Sequence, residues 1–281
     1  PLEGALVVAY NITINMTTGE VLREAICEDR TNSTGWAELE IPNGTTCDIE
    51  VYWQDDRALV GFTRNLTVLS NLTLAQPIRC WVCDLVVRAS YGDGSPMVSG
   101  EARLEGCFVD KNGNKRTFTS SSEFNLTGLA SFEDVLMNCS YVIEGYRPGL
   151  DEPFDTVELS RLNGTTTVEL SCPYLTVIVS VVDEEMRPVK GALVEAYDWG
   201  TGKLMDRARS NDMGLATLTT FFGLCELRAY RGGELLAQTK VRVVENETWC
   251  ILPCRFYNLT LKVLVLDARG KPIPGLEVRL V

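Results

Sequence analysis

The side chains that could carry chemistry are ten cysteines and fourteen asparagines, in a chain of 281 residues that has no histidine. Without histidine, His-containing metal sites and His-based catalytic triads are excluded. Eleven of the fourteen asparagines head an Asn-x-Ser/Thr triplet: Asn11, Asn15, Asn32, Asn43, Asn65, Asn71, Asn125, Asn138, Asn163, Asn246 and Asn258. Serine and threonine together make up 39 residues, so chance placement would give about two such triplets. The excess marks N-glycosylation and hence a secreted, exposed protein. An even number of cysteines points to the same oxidising compartment.

Spacing arranges the cysteines into a framework. Cys80 lies 16 residues before Pro96, Cys172 lies 16 before Pro188, and Cys254 lies 18 before Pro272. Cys47 to Cys80 and Cys139 to Cys172 are both separations of 33 residues. One bridge per unit is therefore expected: Cys47 with Cys80, Cys139 with Cys172, and Cys225 with Cys254. Cys83 and Cys107 are equidistant from Ser95 and are expected to face each other across a hairpin, which leaves Cys27 and Cys250 for a bridge between units or chains. Read instead as a redox or zinc motif, Cys80-x-x-Cys83 lacks the helix of the first and the second matching pair of the other. The paired acids Glu184-Glu185 and Asp55-Asp56 stand in turns, where solvated carboxylates are ordinary. No enzyme activity, cofactor or metal is expected.

The elements that position these residues come from an internal repeat. Shifted by 84 residues, Leu175, Thr176, Val179, Val181, Asp183, Pro188, Gly191 and Val194 meet Leu259, Thr260, Val263, Val265, Asp267, Pro272, Gly275 and Val278. The stretch Pro1 to Tyr10 matches Pro188 to Tyr197 at seven of ten positions, and a diverged copy runs through Leu85 to Leu104. A fixed-period repeat sets the architecture. Each copy reads as strand, acidic proline-containing turn, strand, because β-branched residues alternate and Pro and Gly punctuate them. Expected strands in unit one are Gly4 to Tyr10, Trp36 to Ile41, Cys47 to Trp53, Leu59 to Val68 and Leu72 to Leu74. In unit two they are Asp84 to Ser90, Glu101 to Val109, Ala130 to Val135, Ser140 to Tyr146 and Thr165 to Ser171. Unit three adds, after its opening repeat, Leu215 to Phe221, Cys225 to Tyr230, Leu235 to Val244 and Thr248 to Leu252. Asp110-Lys111-Asn112-Gly113-Asn114 reads as a hairpin of type I′ and lacks the glutamate and flanking helices of an EF-hand. No capped 3.6-period run of helix length occurs, so the class is all-β: tandem Ig-like β-sandwich domains.

Asp183, Pro188, Gly191-Ala192-Leu193-Val194, Gly202 and the Ser210-Asn211-Asp212-x-Gly214 turn resemble the carboxypeptidase-regulatory-like or transthyretin-like sandwich repeat. That repeat is close to the CNA-B and other Ig-like repeats of extracellular surface proteins. The resemblance implies sandwich folds and a structural or adhesive role. The expected division is 1–79 (a sandwich lacking its first strand), 80–172, 173–256, and 257–281 (opening strands of a further repeat, or a donated strand). The sequence reads as a window from a longer chain. No apolar run approaches the roughly 20 residues of a membrane span, and the net charge of −12 disfavours nucleic acid as a partner. The expected function is a non-catalytic structural glycoprotein of the cell surface, its partners being N-linked glycans and copies of itself or other surface proteins. The alternatives are an adhesin using Trp53, Trp81, Trp199 and Trp249 as platforms, or accessory domains of a secreted hydrolase.

Overall fold

The computed structural model describes residues 1–14, 16–17, 19, 21–255 and 263–275. All regular elements among them are strands. In unit one β1 (Leu6–Ile14), β2 (Val21–Arg30), β3 (Thr45–Trp53) and β4 (Ala58–Val68) form one sheet in the order β2-β1-β3-β4. Unit two contains β5 (Val82–Tyr91), β6 (Glu101–Val109), β7 (Lys115–Glu123), β8 (Leu129–Leu136), β9 (Ser140–Tyr146), β10 (Pro153–Leu159) and β11 (Thr166–Cys172). They make a three-stranded sheet, β11-β5-β8, and a four-stranded sheet, β10-β9-β6-β7. Unit three repeats this plan with β12 (Tyr174–Val182), β13 (Leu193–Asp198), β14 (Leu204–Arg209), β15 (Leu215–Phe221), β16 (Gly223–Arg231), β17 (Glu234–Val243) and β18 (Thr248–Pro253). Its sheets are β15-β12-β18 and β14-β13-β16-β17. The tandem all-β architecture implied by the sequence is present.

Register shows which residues correspond. Leu6 faces Tyr52, Glu101 faces Tyr146 and Leu193 faces Tyr230 across equivalent ladders. On that frame Cys47 and Cys225 are equivalent, whereas the third position holds Tyr141 and Cys139 falls two residues earlier. Inward residues alternate as a half-buried strand requires: Val177, Val179 and Val181 are fully buried against Val194, Ala196, Leu227 and Ala229.

Two expected strands of unit one, Trp36 to Ile41 and Leu72 to Leu74, do not form. Their counterparts in the other units flank a central strand: β8 and β11 pair with β5, and β15 and β18 pair with β12. No described residue occupies that central place in unit one. Residues 36–41 still alternate exposed and half-buried, with Leu39 and Ile41 against the core, but without a ladder partner. The Asp110 turn also differs from expectation: only Gly113 has positive φ, at 81°, so it is not type I′, which needs two such residues. Asp110 accepts from the backbone of Asn112 and Asn114 and from Arg116, at 2.8–2.9 Å, and these bonds fill the place a cation would take.

The turns before β8 and β15 are each fixed by one glycine. In Asn125 to Gly128 and Asn211 to Gly214 the asparagine Oδ1 accepts two backbone N–H bonds, and the glycine carbonyl receives the N–H of Ala89 or Val181. A Cβ on Gly128 or Gly214 would sit 2.5 Å from the carbonyl oxygen of Ala89 or Val181, at φ of +76° and +73°. Only glycine fits such a close approach at positive φ.

Candidate functional sites at the joints, the cysteines and the surface asparagines

The most distinctive chemistry in the molecule lies where units meet. Arg147, at the end of β9, and Asp198, at the end of β13, form a salt bridge across the joint of units two and three, each side chain 3% exposed. Arg147 Nη1 also donates to the Phe222 carbonyl at 2.8 Å, and Asp198 Oδ2 accepts from the N–H and hydroxyl of Thr201 at 3.0 and 2.6 Å. Gly223, at φ 144°, lets the guanidinium approach: a Cβ there would meet Arg147 Nη1 at 2.7 Å. Beside this pair Phe221 stacks on Tyr91, centroids 4.0 Å apart, and on Tyr174 at 4.8 Å. Phe221 and Phe222 of unit three thereby join the hydrophobic core of unit two. A buried ion pair adds little net stability, whereas removing one partner leaves the other charge buried and uncompensated.

The joint between units one and two is built from other residues. Trp53 Nε1 donates to the Asp134 carbonyl at 2.9 Å, Trp81 N–H to the Val60 carbonyl at 2.7 Å, and Lys111 N–H to the Arg57 carbonyl at 3.1 Å. Phe108 and Leu136 of unit two pack into the core of unit one with Ala5 and Val60. Gln54, Asp55 and Asp56, three consecutive non-glycine residues with φ of 51°, 55° and 62°, turn the chain there, and Arg30 holds Asp56 through two hydrogen bonds. Such a run is strained and persists only because surrounding contacts determine it.

A glutamate–tyrosine rung recurs in each unit and went unread in the sequence. Tyr52 donates its hydroxyl to Glu50, Tyr146 to Glu144 and Tyr197 to Glu195, at 2.5, 2.7 and 2.6 Å. An arginine lies over the aromatic ring of Tyr146 (Arg103, 4.0 Å) and Tyr197 (Arg228, 4.4 Å). In unit one Arg23 and Arg64 both bind the buried Glu50 at 2.6 Å. The signal was available as the triplet Glu-x-Tyr on a strand.

All ten cysteines, Cys27, Cys47, Cys80, Cys83, Cys107, Cys139, Cys172, Cys225, Cys250 and Cys254, are free thiols in the structure. The spacing-based pairs do not meet in it. A Cβ on Gly61 would lie 3.3 Å from Cys80 Sγ, and Gly61 faces Val51, four residues along β3 from Cys47. Cys139 packs toward unit one, while Cys172 Sγ donates to the Phe222 carbonyl at the opposite end of unit two. Cys83 follows the inward parity of Leu85 and Val87, whereas Cys107 lies between inward Gly106 and Phe108 and so faces outward. Cys27 and Cys250 belong to units separated by a third. Burial pushes the Cys172 thiol up to about 12 and the Cys139 thiol up to about 11. No cluster of three or more Cys, Asp or Glu among the described residues could hold a metal.

Of the eleven triplet asparagines, Asn15 and Asn258 lie outside the described residues. Asn32, Asn43, Asn65, Asn71, Asn125, Asn138, Asn163 and Asn246 are exposed and Asn11 is half-buried. The tryptophans are spread over all three units. Trp53 is tied to Asp134, Trp81 packs edgewise on Phe62 at 5.6 Å, Trp199 is covered by Lys240 at 3.5 Å, and Trp249 is 63% exposed.

No family model matches the chain, and no curated protein matches it. Solved structures to which it is similar include GBS52, the minor pilin of Streptococcus agalactiae, at 12% identity and TM-score 0.32, covering 64% of this chain and 98% of that one. The Bacillus anthracis TIE protein matches at 13% identity and TM-score 0.36 over 91% of this chain and 47% of its own. A streptococcal ancillary pilin matches at 10% identity and TM-score 0.28 over 92% and 93%.

Proposed function

We propose that this chain is a non-catalytic structural glycoprotein of the cell surface, a tandem segment of an extracellular filament, stalk or surface layer. The observation that carries the reading is the buried joint: Arg147, Asp198, Tyr91, Phe221 and Tyr174 weld consecutive units where flexible linkers would otherwise stand. Inter-domain contacts are ordinarily polar and mobile, so a joint continuous with a hydrophobic core suits a part that holds units at fixed spacing. The exposed asparagines suit a solvated outer coat of glycans. Small-angle scattering of the natively expressed protein tests the first point, with a rigid rod as the expected result and an ensemble of bent forms as the opposing one. Peptide N-glycosidase tests the second. Mass loss at most of the described triplet asparagines supports the reading, and an unmodified native protein removes the glycoprotein from it.

Assembly by strand donation belongs to the same proposal. The place that β5 and β12 take at the centre of the three-stranded sheets of units two and three is taken by no described residue in unit one, and Leu259 to Asp267 repeats the sequence of β12. A strand of this type supplied by another copy would give residues 36–41 a ladder partner and cover an unpaired edge. A synthetic peptide of residues 257–274 should compete with self-association. Association unaffected by excess peptide would remove strand donation.

A further inference from the structure

The core of unit three holds three cysteines, and their places along the strands differ. Cys225 is on β16 in the four-stranded sheet, opposite Asp198 of β13 and Val241 of β17. Cys250 is on β18 in the facing three-stranded sheet, opposite Val179 of β12. Cys254 follows β18, its N–H bonded to the Val182 carbonyl. Cys225 and Cys254 are buried and Cys250 packs against the same cluster.

Phe222 N–H donates to the Pro173 carbonyl at 3.0 Å, which anchors the start of β16 beside the start of β12. Three residues on, Cys225 is level with Thr176 and Val177. Val177 pairs with Thr248 and Val179 with Cys250, so Cys250 is the near cysteine. Cys254 stands four residues further along β18, about 13 Å at the rise of a strand, beyond the reach of a disulfide. Cys250 lies near enough that its charge adds to the upward push of burial on the Cys225 thiol, which agrees with this placement.

We infer that Cys225 and Cys250 form a disulfide that pins the two sheets of unit three together, with Cys254 remaining a thiol. The pairing rests on the extracellular reading only for its oxidising surroundings. With oxidised glutathione as the disulfide donor, one cysteine thiolate attacks a glutathione sulfur and releases one glutathione thiol. The second cysteine thiolate then displaces the other glutathione. One S–S bond breaks, one forms, and the two cysteine protons end on the two glutathione thiols. Burial pushes the Cys225 thiol up to about 12, so exchange takes place during folding, before the core closes on the pair.

The test uses the full chain. Reduced protein is refolded in a glutathione redox buffer, alkylated, digested and mapped without reduction. The expected product is a peptide linking Cys225 to Cys250, with Cys254 alkylated. Cys254→Ser should keep that linked peptide, and Cys250→Ser should lose it without transferring the link to Cys254. Closing a loop of this length should raise the folding equilibrium constant of the oxidised over the reduced form by on the order of 300-fold, read by urea titration with and without reductant. A peptide joining Cys225 to Cys254, or full alkylation of both Cys225 and Cys250 after refolding, overturns the pairing. The native protein is mapped separately: free thiols there, with the link formed in glutathione, count against the extracellular location and leave the geometry standing.

Discussion

Replacing Asp198 with asparagine keeps the shape of the joint between units two and three and removes one charge from a pair that is 3% exposed on both sides. Arg147 cannot discharge itself, so its guanidinium stays charged with the Phe222 carbonyl as its remaining strong acceptor. Breaking one side of a buried pair costs about 3–5 kcal/mol, because the surviving charge is left uncompensated. A domain of this size has a total stability of about 5–15 kcal/mol, so the loss is a large fraction of what holds units two and three in register. Arg147→Met should also destabilise, by stranding Asp198. The double variant Arg147→Met/Asp198→Asn should recover part of the loss, since neither charge is then buried alone. Urea titration followed by tryptophan fluorescence and circular dichroism reads all three, and Trp199 lies next to Asp198 in sequence. The reasoning is refuted if Asp198→Asn shifts stability by less than about 1 kcal/mol, the range of exposed ion pairs.

Other perturbations separate the remaining contacts. Gly214→Ala should destabilise unit three by about 3 kcal/mol, combining positive φ with the 2.5 Å approach of the Val181 oxygen. Gly191→Ala, at φ +76° with open space around the new Cβ, should cost only about 1 kcal/mol; equal losses on thermal denaturation would deny the close approach its role. Asp110, held down to about 2 from an ordinary 3.8 first by the Arg116 guanidinium and then by backbone N–H groups, binds its proton less readily folded than unfolded. Its contribution is complete above about pH 4 and is lost as pH falls through 2. Asp110→Ala should therefore flatten the stability curve between those values, and an unchanged curve would show that other carboxylates dominate. Trp53→Phe removes the indole donor to the Asp134 carbonyl and should cost about 1 kcal/mol in the joint of units one and two.

The sequence announced every central strand and concealed only some of the edges. β1, β5, β12 and β16 carry β-branched or apolar residues on alternate positions, because one face of each is packed into a core. β2, β10 and β14 were not anticipated, β7 was implied only as the far arm of the Asp110 hairpin, and each of the four is a terminal strand of its sheet. β7, with the sequence KRTFTSSSE, buries almost nothing, so no apolar period marks it. Edge strands are kept polar to discourage pairing with other chains, and that same property hides them. Trp36 to Ile41 shows the converse: its alternation is genuine, but a ladder also requires a neighbour. The joint was illegible for a different reason. Arg147 and Asp198 are 51 residues apart, and a lone charge in sequence carries no sign of the partner that tertiary structure will bring to it.

The asparagine excess has one competing structural explanation, and the hydrogen bonds separate the two. Asn32 and Asn125 spend Oδ1 on turn backbone, accepting from the N–H two and four residues ahead and from the hydroxyl of the threonine in the same triplet. Asn138 accepts from Arg161, and Asn246 from the Thr176 N–H. Asn211 makes the same turn as Asn125 without heading a triplet, so turn chemistry demands the asparagine and not the threonine after it. Asn43, Asn71 and Asn163 are exposed and accept no comparable bond, so turn formation leaves their triplets unexplained. In protein made without glycosylation, Asn125→Gln should cost about 1 kcal/mol through its lost turn bonds. Asn43→Gln and Asn163→Gln should leave stability unchanged within about 0.5 kcal/mol. In natively expressed protein each of the three should remove one glycan. Equal destabilisation by all three without glycans would make the triplets structural, and the glycoprotein reading would lose its main support.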